Sequence, residues 1–202
     1  MCLKEKTKLK NLAIGFGQTQ QNNDDGVVAL AEALNNMTKL SSLHISLEDT
    51  QISQHSMIDI FKSLINIRNL EILKLNFGKT QIKDDLPFEA LANSLATMNN
   101  LKELSVEVFE TNISDHVVKN LSRSLGDKQK LRLLELGFGK SILQDPTTMK
   151  EFSLTITRLD QLEKFSLVLY KTKLGDDGIT DICDSLGVMK QLEHLTLTFG
   201  KT

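Results

Sequence analysis

Apolar residues recur along this chain with a fixed beat. A block of the form L-x-x-L-x-L-x-Φ-x-x-T, with Φ apolar, starts at Leu9, Leu40, Leu70, Leu101, Leu131, Leu162 and Leu192. The intervals alternate between 31 and 30 residues. Block positions 1, 4, 6 and 8 make 28 sites; all 28 are apolar, where composition alone would give about 11. Positions 4, 6 and 8 alternate, as in Leu12-Ile14-Phe16 and Leu134-Leu136-Phe138. Alternate side chains of a strand share one face, so each block predicts a strand with these residues turned inward.

A helical pattern follows each strand. Val27, Leu30, Leu34 and Met37 recur as Met57, Ile60, Leu64 and Ile67, and again as Phe88, Leu91, Leu95 and Met98. The later copies are Met149, Phe152, Ile156 and Leu159, then Ile179, Ile182, Leu186 and Met189. Offsets of 3, 7 and 10 put each set on one helix face. Asp145-Pro146 reads as an N-cap followed by proline at the first helical position, and Ser53 and Ser114 are similar caps. Aspartate pairs at Asp24-Asp25, Asp84-Asp85 and Asp176-Asp177 fall where helices begin, which suits capping and dipole compensation.

One strand and one helix per unit cannot bury their apolar faces alone, whereas stacked units can. The repeat resembles the leucine-rich repeat family, in particular its helix-bearing, ribonuclease-inhibitor-like class, over essentially the whole chain. The resemblance implies an α/β fold: a single curved solenoid over residues 1–202, with about seven parallel strands on the concave face and helices on the convex face. The family's ninth position usually carries Asn or Cys. Here it holds Gly17, Glu48, Gly78, Phe109, Gly139, Tyr170 and Gly200. Position 11 is always a hydroxyl residue: Thr19, Thr50, Thr80, Thr111, Ser141, Thr172 and Thr202. This hydroxyl ladder is expected to satisfy the backbone groups that the Asn ladder would serve.

The alternation of intervals makes a superperiod of 61 residues. Odd units carry Phe-Gly at positions 8 and 9, while two even units reverse the sizes as Val108-Phe109 and Leu169-Tyr170. Phe109 is expected to lie over the gaps left by Gly78 and Gly139, and Tyr170 over Gly139 and Gly200.

Composition removes several classes of function. The formal net charge is −2, from 24 basic and 26 acidic residues, and Lys and Arg do not collect on one face. Nothing there steers the chain to nucleic acid or to an acidic membrane. Nine Phe, one Tyr and no Trp are few for a base-stacking surface. Cys2 and Cys183 form no zinc ligand set, the first residues lack the apolar core expected of a signal peptide, and no apolar run is long enough to span a bilayer. The expectation is a reduced, cytoplasmic protein, in which the sequons at Asn36, Asn112 and Asn120 are chance matches. Phe-Gly-Lys-Thr and Phe-Gly-Lys-Ser mimic the end of a phosphate-binding loop, but Leu73, Leu134 and Leu195 stand where its first glycine belongs. His44, His55, His116 and His194 share no repeat position with a nucleophile. No catalytic residue, cofactor site or metal site is therefore expected.

The concave positions 3, 5, 7 and 9 are the better place to look. Glu103, Glu107 and Glu135 form an acidic patch on the fourth and fifth units, flanked by Phe109 and Tyr170. Acidic residues beside exposed aromatics suit a basic protein partner. The array shows no polar caps: Leu3 aligns with Leu34, and Thr202 follows the seventh strand. The expected function is a protein-binding scaffold or subunit of a larger assembly. The alternative is a regulatory repeat segment of a multidomain signalling enzyme, such as a kinase or GTPase regulator.

Overall fold

The computed structural model describes residues 3–17, 24–80, 82, 84–111 and 113–200. Cys2, Thr19, Asn112 and Thr202 lie outside the described residues. The strands are β1 (Asn11–Gly15), β2 (Ser42–Ser46), β3 (Ile72–Asn76), β4 (Glu103–Glu107), β5 (Leu133–Gly137), β6 (Lys164–Val168) and β7 (His194–Thr198). Between them run α1 (Asp24–Leu34), α2 (Gln54–Ser63), α3 (Leu86–Ala96), α4 (Asp115–Leu125), α5 (Pro146–Ile156) and α6 (Asp176–Gly187). The seven strands pair in chain order, all parallel, in one open sheet.

The register sets equal block positions side by side. Leu43, Leu73, Leu104, Leu134 and Phe165 are successive partners, and so are Ile45, Leu75, Val106, Leu136 and Leu167. All ten are buried against the helices in one continuous core. The helical sets from Val27, Met57, Phe88 and Met149 are buried with them; in α6, Ile182, Leu186 and Met189 are buried and Ile179 is half-buried. Phe61 of α2 meets Phe77 edge-on with ring centroids 5.0 Å apart and Phe88 at 6.0 Å. Position 8 lies just past each strand, yet Phe77 and Phe138 are fully enclosed.

Pairing between units continues beyond the strands. The position-8 amides of Leu47, Phe77, Val108, Phe138 and Leu169 donate to the next unit's position-7 carbonyl at 2.8–2.9 Å. Position 10 then adopts the left-handed conformation in Asp49, Lys79, Glu110, Lys140 and Lys171, with φ between 55° and 60°. That turn aims each position-10 amide at the position-9 carbonyl of the next unit, from 2.7 Å for Lys140 to 3.3 Å for Lys171. At position 11 the hydroxyls of Thr50, Thr80, Thr111 and Thr172 donate back to their own position-8 carbonyls at 2.6–2.8 Å. The expected hydroxyl ladder is therefore built within each unit. Ser141 departs from it: its hydroxyl is buried and has no hydrogen-bond partner among the described residues.

Ser53, Ser114 and Asp145 cap α2, α4 and α5 by accepting from the amides of Ser56, His116 and Thr147. Other aspartates reach forward to the next unit. Asp24 accepts from the Ser53 amide at 2.8 Å, Asp85 from the Ser114 amide at 3.1 Å, and Asp115 from the Gln144 and Asp145 amides at 3.1 Å each. These carboxylates tie the start of one helix to the loop of the next unit, and Asp85 makes no capping bond to its own helix.

Lys128 breaks the apolar rule. It follows α4 at the level of Met37, Ile67, Met98, Leu159 and Met189, and is only 2% exposed. Its ammonium donates to the Ala96 carbonyl at 3.2 Å, and burial pulls its pKa below the usual lysine value.

Candidate functional site

The sheet face turned away from the helices carries the odd block positions. On β4 and β5, Ser105 partners Glu135 and Glu107 partners Gly137; on β6, Ser166 partners Glu135 and Val168 partners Gly137. Glu107 and Glu135 are thus diagonal neighbours on adjacent strands, within reach of each other. Gly137 opens the floor between them. A Cβ there would lie 3.6 Å from the Glu107 side chain.

These residues line a cleft of about 380 Å³ with Phe109, Leu136, Ser166, Val168 and Tyr170. Four of the five expected site residues meet there: Glu107, Phe109, Glu135 and Tyr170. Glu103 does not. It stands at the start of β4 with its carboxylate 3.6 Å from the Lys74 ammonium.

The rings seat differently from the expectation. A Cβ on Gly78 would come within 2.7 Å of the Phe109 ring, and a Cβ on Gly139 would overlap the Tyr170 ring. The nearest neighbours of that added Gly139 carbon are all Tyr170 atoms, and Gly200 faces the Tyr170 Cβ at 3.0 Å. Each ring therefore leans onto the glycine of the preceding unit instead of straddling two. Strand twist makes the two neighbours of a ring inequivalent, which the symmetric Gly-aromatic-Gly sequence does not reveal. Both side chains stay half-exposed.

Charge on this face is unevenly balanced. Lys79 sits 3.8 Å from the Glu48 carboxylate and 5.8 Å from the centre of the Phe109 ring. Glu110 pairs with Lys140 at 2.7 Å, and Glu71 with Lys102 at 2.8 Å. Among the described residues, Glu107 and Glu135 have no ion-pair partner. Burial, then repulsion from Glu135 and Glu48, raises the Glu107 pKa against a weaker opposing pull from His44. The pair holds excess negative charge between two aromatic walls.

Sequence reasoning missed Lys79 as a part of this face. Its sole signal was the left-handed turn, which no glycine announced. Among the described residues no group of three or more His, Cys, Asp or Glu side chains is placed to hold a metal ion. Nor is any described helix long and apolar enough to cross a membrane.

No family model matches this sequence, and no curated protein is similar to it. Solved structures are. The C-terminal domain of a Caenorhabditis elegans tropomodulin is similar with a TM-score of 0.51 and 13% identity, over 92% of this chain and 87% of that one. The neighbouring structures are leucine-rich-repeat proteins. The chain has the leucine-rich-repeat fold. Leiomodin-1 actin-binding site 2 is similar with a TM-score of 0.49 and 13% identity over 92% of this chain and 83% of that one. Internalin C2 of Listeria monocytogenes gives 0.44 and 16% over 94% and 80%. At such identities the likeness is one of fold, and no site residue transfers with it.

Proposed function

We propose that this leucine-rich-repeat array is a protein-binding scaffold, a subunit of a larger assembly, that holds its partner on the concave strand face. The binding residues in this reading are Glu103, Glu107, Phe109, Glu135 and Tyr170. One observation carries it: two carboxylates with no ion-pair partner among the described residues share a cleft with two half-exposed rings over a small-residue floor. Aromatic anchors supply contact area at low entropic cost, and unneutralised carboxylates select a basic partner surface. The cleft offers carboxylates, hydroxyls, rings and an aliphatic floor, a set suited to holding a cationic group of a partner. With a net charge of −2 the chain favours a protein over a nucleic acid. The exposed free thiol of Cys183 suits a reducing, cytoplasmic setting.

The test is to purify the native protein from its own cells and identify stoichiometric companions by mass spectrometry. The Glu103→Lys/Glu107→Lys/Glu135→Lys variant is carried in parallel, with its melting temperature as a folding control. A companion lost from a variant that still folds supports the concave face. A companion retained at full stoichiometry by the variant overturns it.

A further inference from the structure

We infer that the cleft between Phe109 and Tyr170 receives an arginine side chain of the partner protein, its guanidinium held by Glu107 and Glu135. This rests on the concave-face reading and names the group that the face recognises.

The geometry favours one planar cation. Phe109 and Tyr170 follow β4 and β6, so one strand stands between them. At about 4.8 Å per strand their attachment points are roughly 10 Å apart. Both rings lean by one strand in the same direction, onto Gly78 and Gly139, so that spacing is kept. It leaves room for one flat group and for little more. The floor is Gly137, Ser166 and Val168, which accommodates an aliphatic stem.

The charge pattern specifies the head group. Of the three glutamates that lie on strands, Glu103 has Lys74, whereas Glu107 and Glu135 have no cation among the described residues. Lys79 stands over the Phe109 ring at 5.8 Å but is claimed by Glu48 at 3.8 Å. Two carboxylates on adjacent strands can accept several N–H donors at once. A guanidinium offers five in a fixed plane, stacks on rings and sheds water readily. A lysine ammonium offers three donors at a point and holds its water more tightly.

The chain supplies its own reporter. Tyr170 is its one tyrosine and it has no tryptophan, so tyrosine emission reads this cleft alone. The full chain is titrated with the capped peptide acetyl-Gly-Arg-Gly-amide, then with the same peptide carrying citrulline or lysine in place of arginine. The expected result is a saturable change with arginine. Binding should be about tenfold weaker with citrulline, which keeps the shape and loses the charge, and severalfold weaker with lysine. The Glu107→Gln/Glu135→Gln variant should lose about tenfold for arginine with its melting temperature unchanged. No saturable change, equal binding of citrulline, lysine binding as tight as arginine, or an unaffected double variant would each overturn the inference. The two readings fail separately. A partner lost on charge reversal while the arginine peptide does not bind removes this inference and leaves the scaffold standing. Arginine binding with a partner indifferent to charge reversal does the opposite.

Discussion

On the helix side of the sheet the rows that cross the strands hardly vary. Leu43, Leu73, Leu104, Leu134 and Phe165 form one, and Ile45, Leu75, Val106, Leu136 and Leu167 the next. On the open side the residues change at every step. His44, Lys74, Ser105, Glu135 and Ser166 form one row; Ser46, Asn76, Glu107, Gly137 and Val168 form another. The same strands carry both. A buried row must fill a space that stacking makes nearly identical in every unit, so its residues converge on similar volumes. The open row is free of that demand, and what it carries answers to whatever lies outside the array.

The sharpest break of this comparison is a pair of neighbours on β5. Leu134 is fully buried, and Leu134→Ala should cost about 3 kcal/mol in urea denaturation. Glu135 points the other way and makes no hydrogen bond or ion pair among the described residues. Glu135→Ala should therefore move stability by less than about 0.5 kcal/mol. Comparable losses for the two would erase the distinction between the faces.

The rim of the open face is where the two sets of rules meet. Gly139→Leu places a side chain where the Tyr170 ring lies, so the ring must leave its seat. The ring is half-exposed and can swing outward, which limits the loss to about 1–2 kcal/mol. Tyrosine emission should change with it. An unaltered melting temperature and spectrum would mean that the ring gains nothing from the glycine beneath it.

Lys128 is the core's exception, and replacing it should sharpen the contrast. Met already fills the equivalent place at 37, 98 and 189. Lys128→Met should stabilise the chain by about 1 kcal/mol at neutral pH, since a buried ammonium with one carbonyl partner gives way to an apolar chain. The pH dependence has a definite sign. Burial depresses the folded pKa below the usual lysine value of 10.5. Below the folded value both states carry the proton and the full cost of burying the charge is present. Between the folded value and 10.5 the unfolded chain binds more protons, so wild-type stability rises with pH and approaches the variant's. Urea midpoints at neutral and alkaline pH measure this. A gap between the two proteins that stays constant with pH would count against a charged Lys128 in the core.

These elements also mark how far the sequence could be read. The rows at positions 4 and 6, the helical sets and the caps at Ser53, Ser114 and Asp145 were legible because each depends on local period or chemistry. The meeting of Glu107, Phe109, Glu135 and Tyr170 was legible too, since a fixed repeat fixes the register. Other features were not. Asp127-Lys128-Gln129-Lys130 reads as a polar loop, and only the stacked column shows that Lys128 fills a core position. The pairs Asp24-Asp25 and Asp84-Asp85 read as caps and dipole compensation for their own helices, and the bonds that Asp24 and Asp85 make to the next unit depend on how the units stack. The lean of the rings follows from twist. Glu103 stands at the other end of β4 from Glu107, and its pairing with Lys74 one strand away appears only once the strands are side by side.

Position 10 is the clearest case of a constraint that left no mark in the sequence, and it yields the smallest expected effect. Asp49, Lys79, Glu110, Lys140 and Lys171 all take left-handed φ, and none of them is glycine. The conformation costs an L-residue about 1 kcal/mol or more, offset here by the amide bond that it directs to the next unit. Lys171 is exposed, so Lys171→Gly removes that cost with little lost packing. Glycine also loses more freedom on folding, by about 0.5–1 kcal/mol, so the net gain should be only about 0.5 kcal/mol. Lys164→Gly, at an exposed site on β6 with ordinary extended backbone, should instead destabilise by about that amount. Opposite signs in urea denaturation would place strain at the turn. If Lys171→Gly is as damaging as Lys164→Gly, the left-handed turn stores none, and the inter-unit amide bond alone accounts for its recurrence.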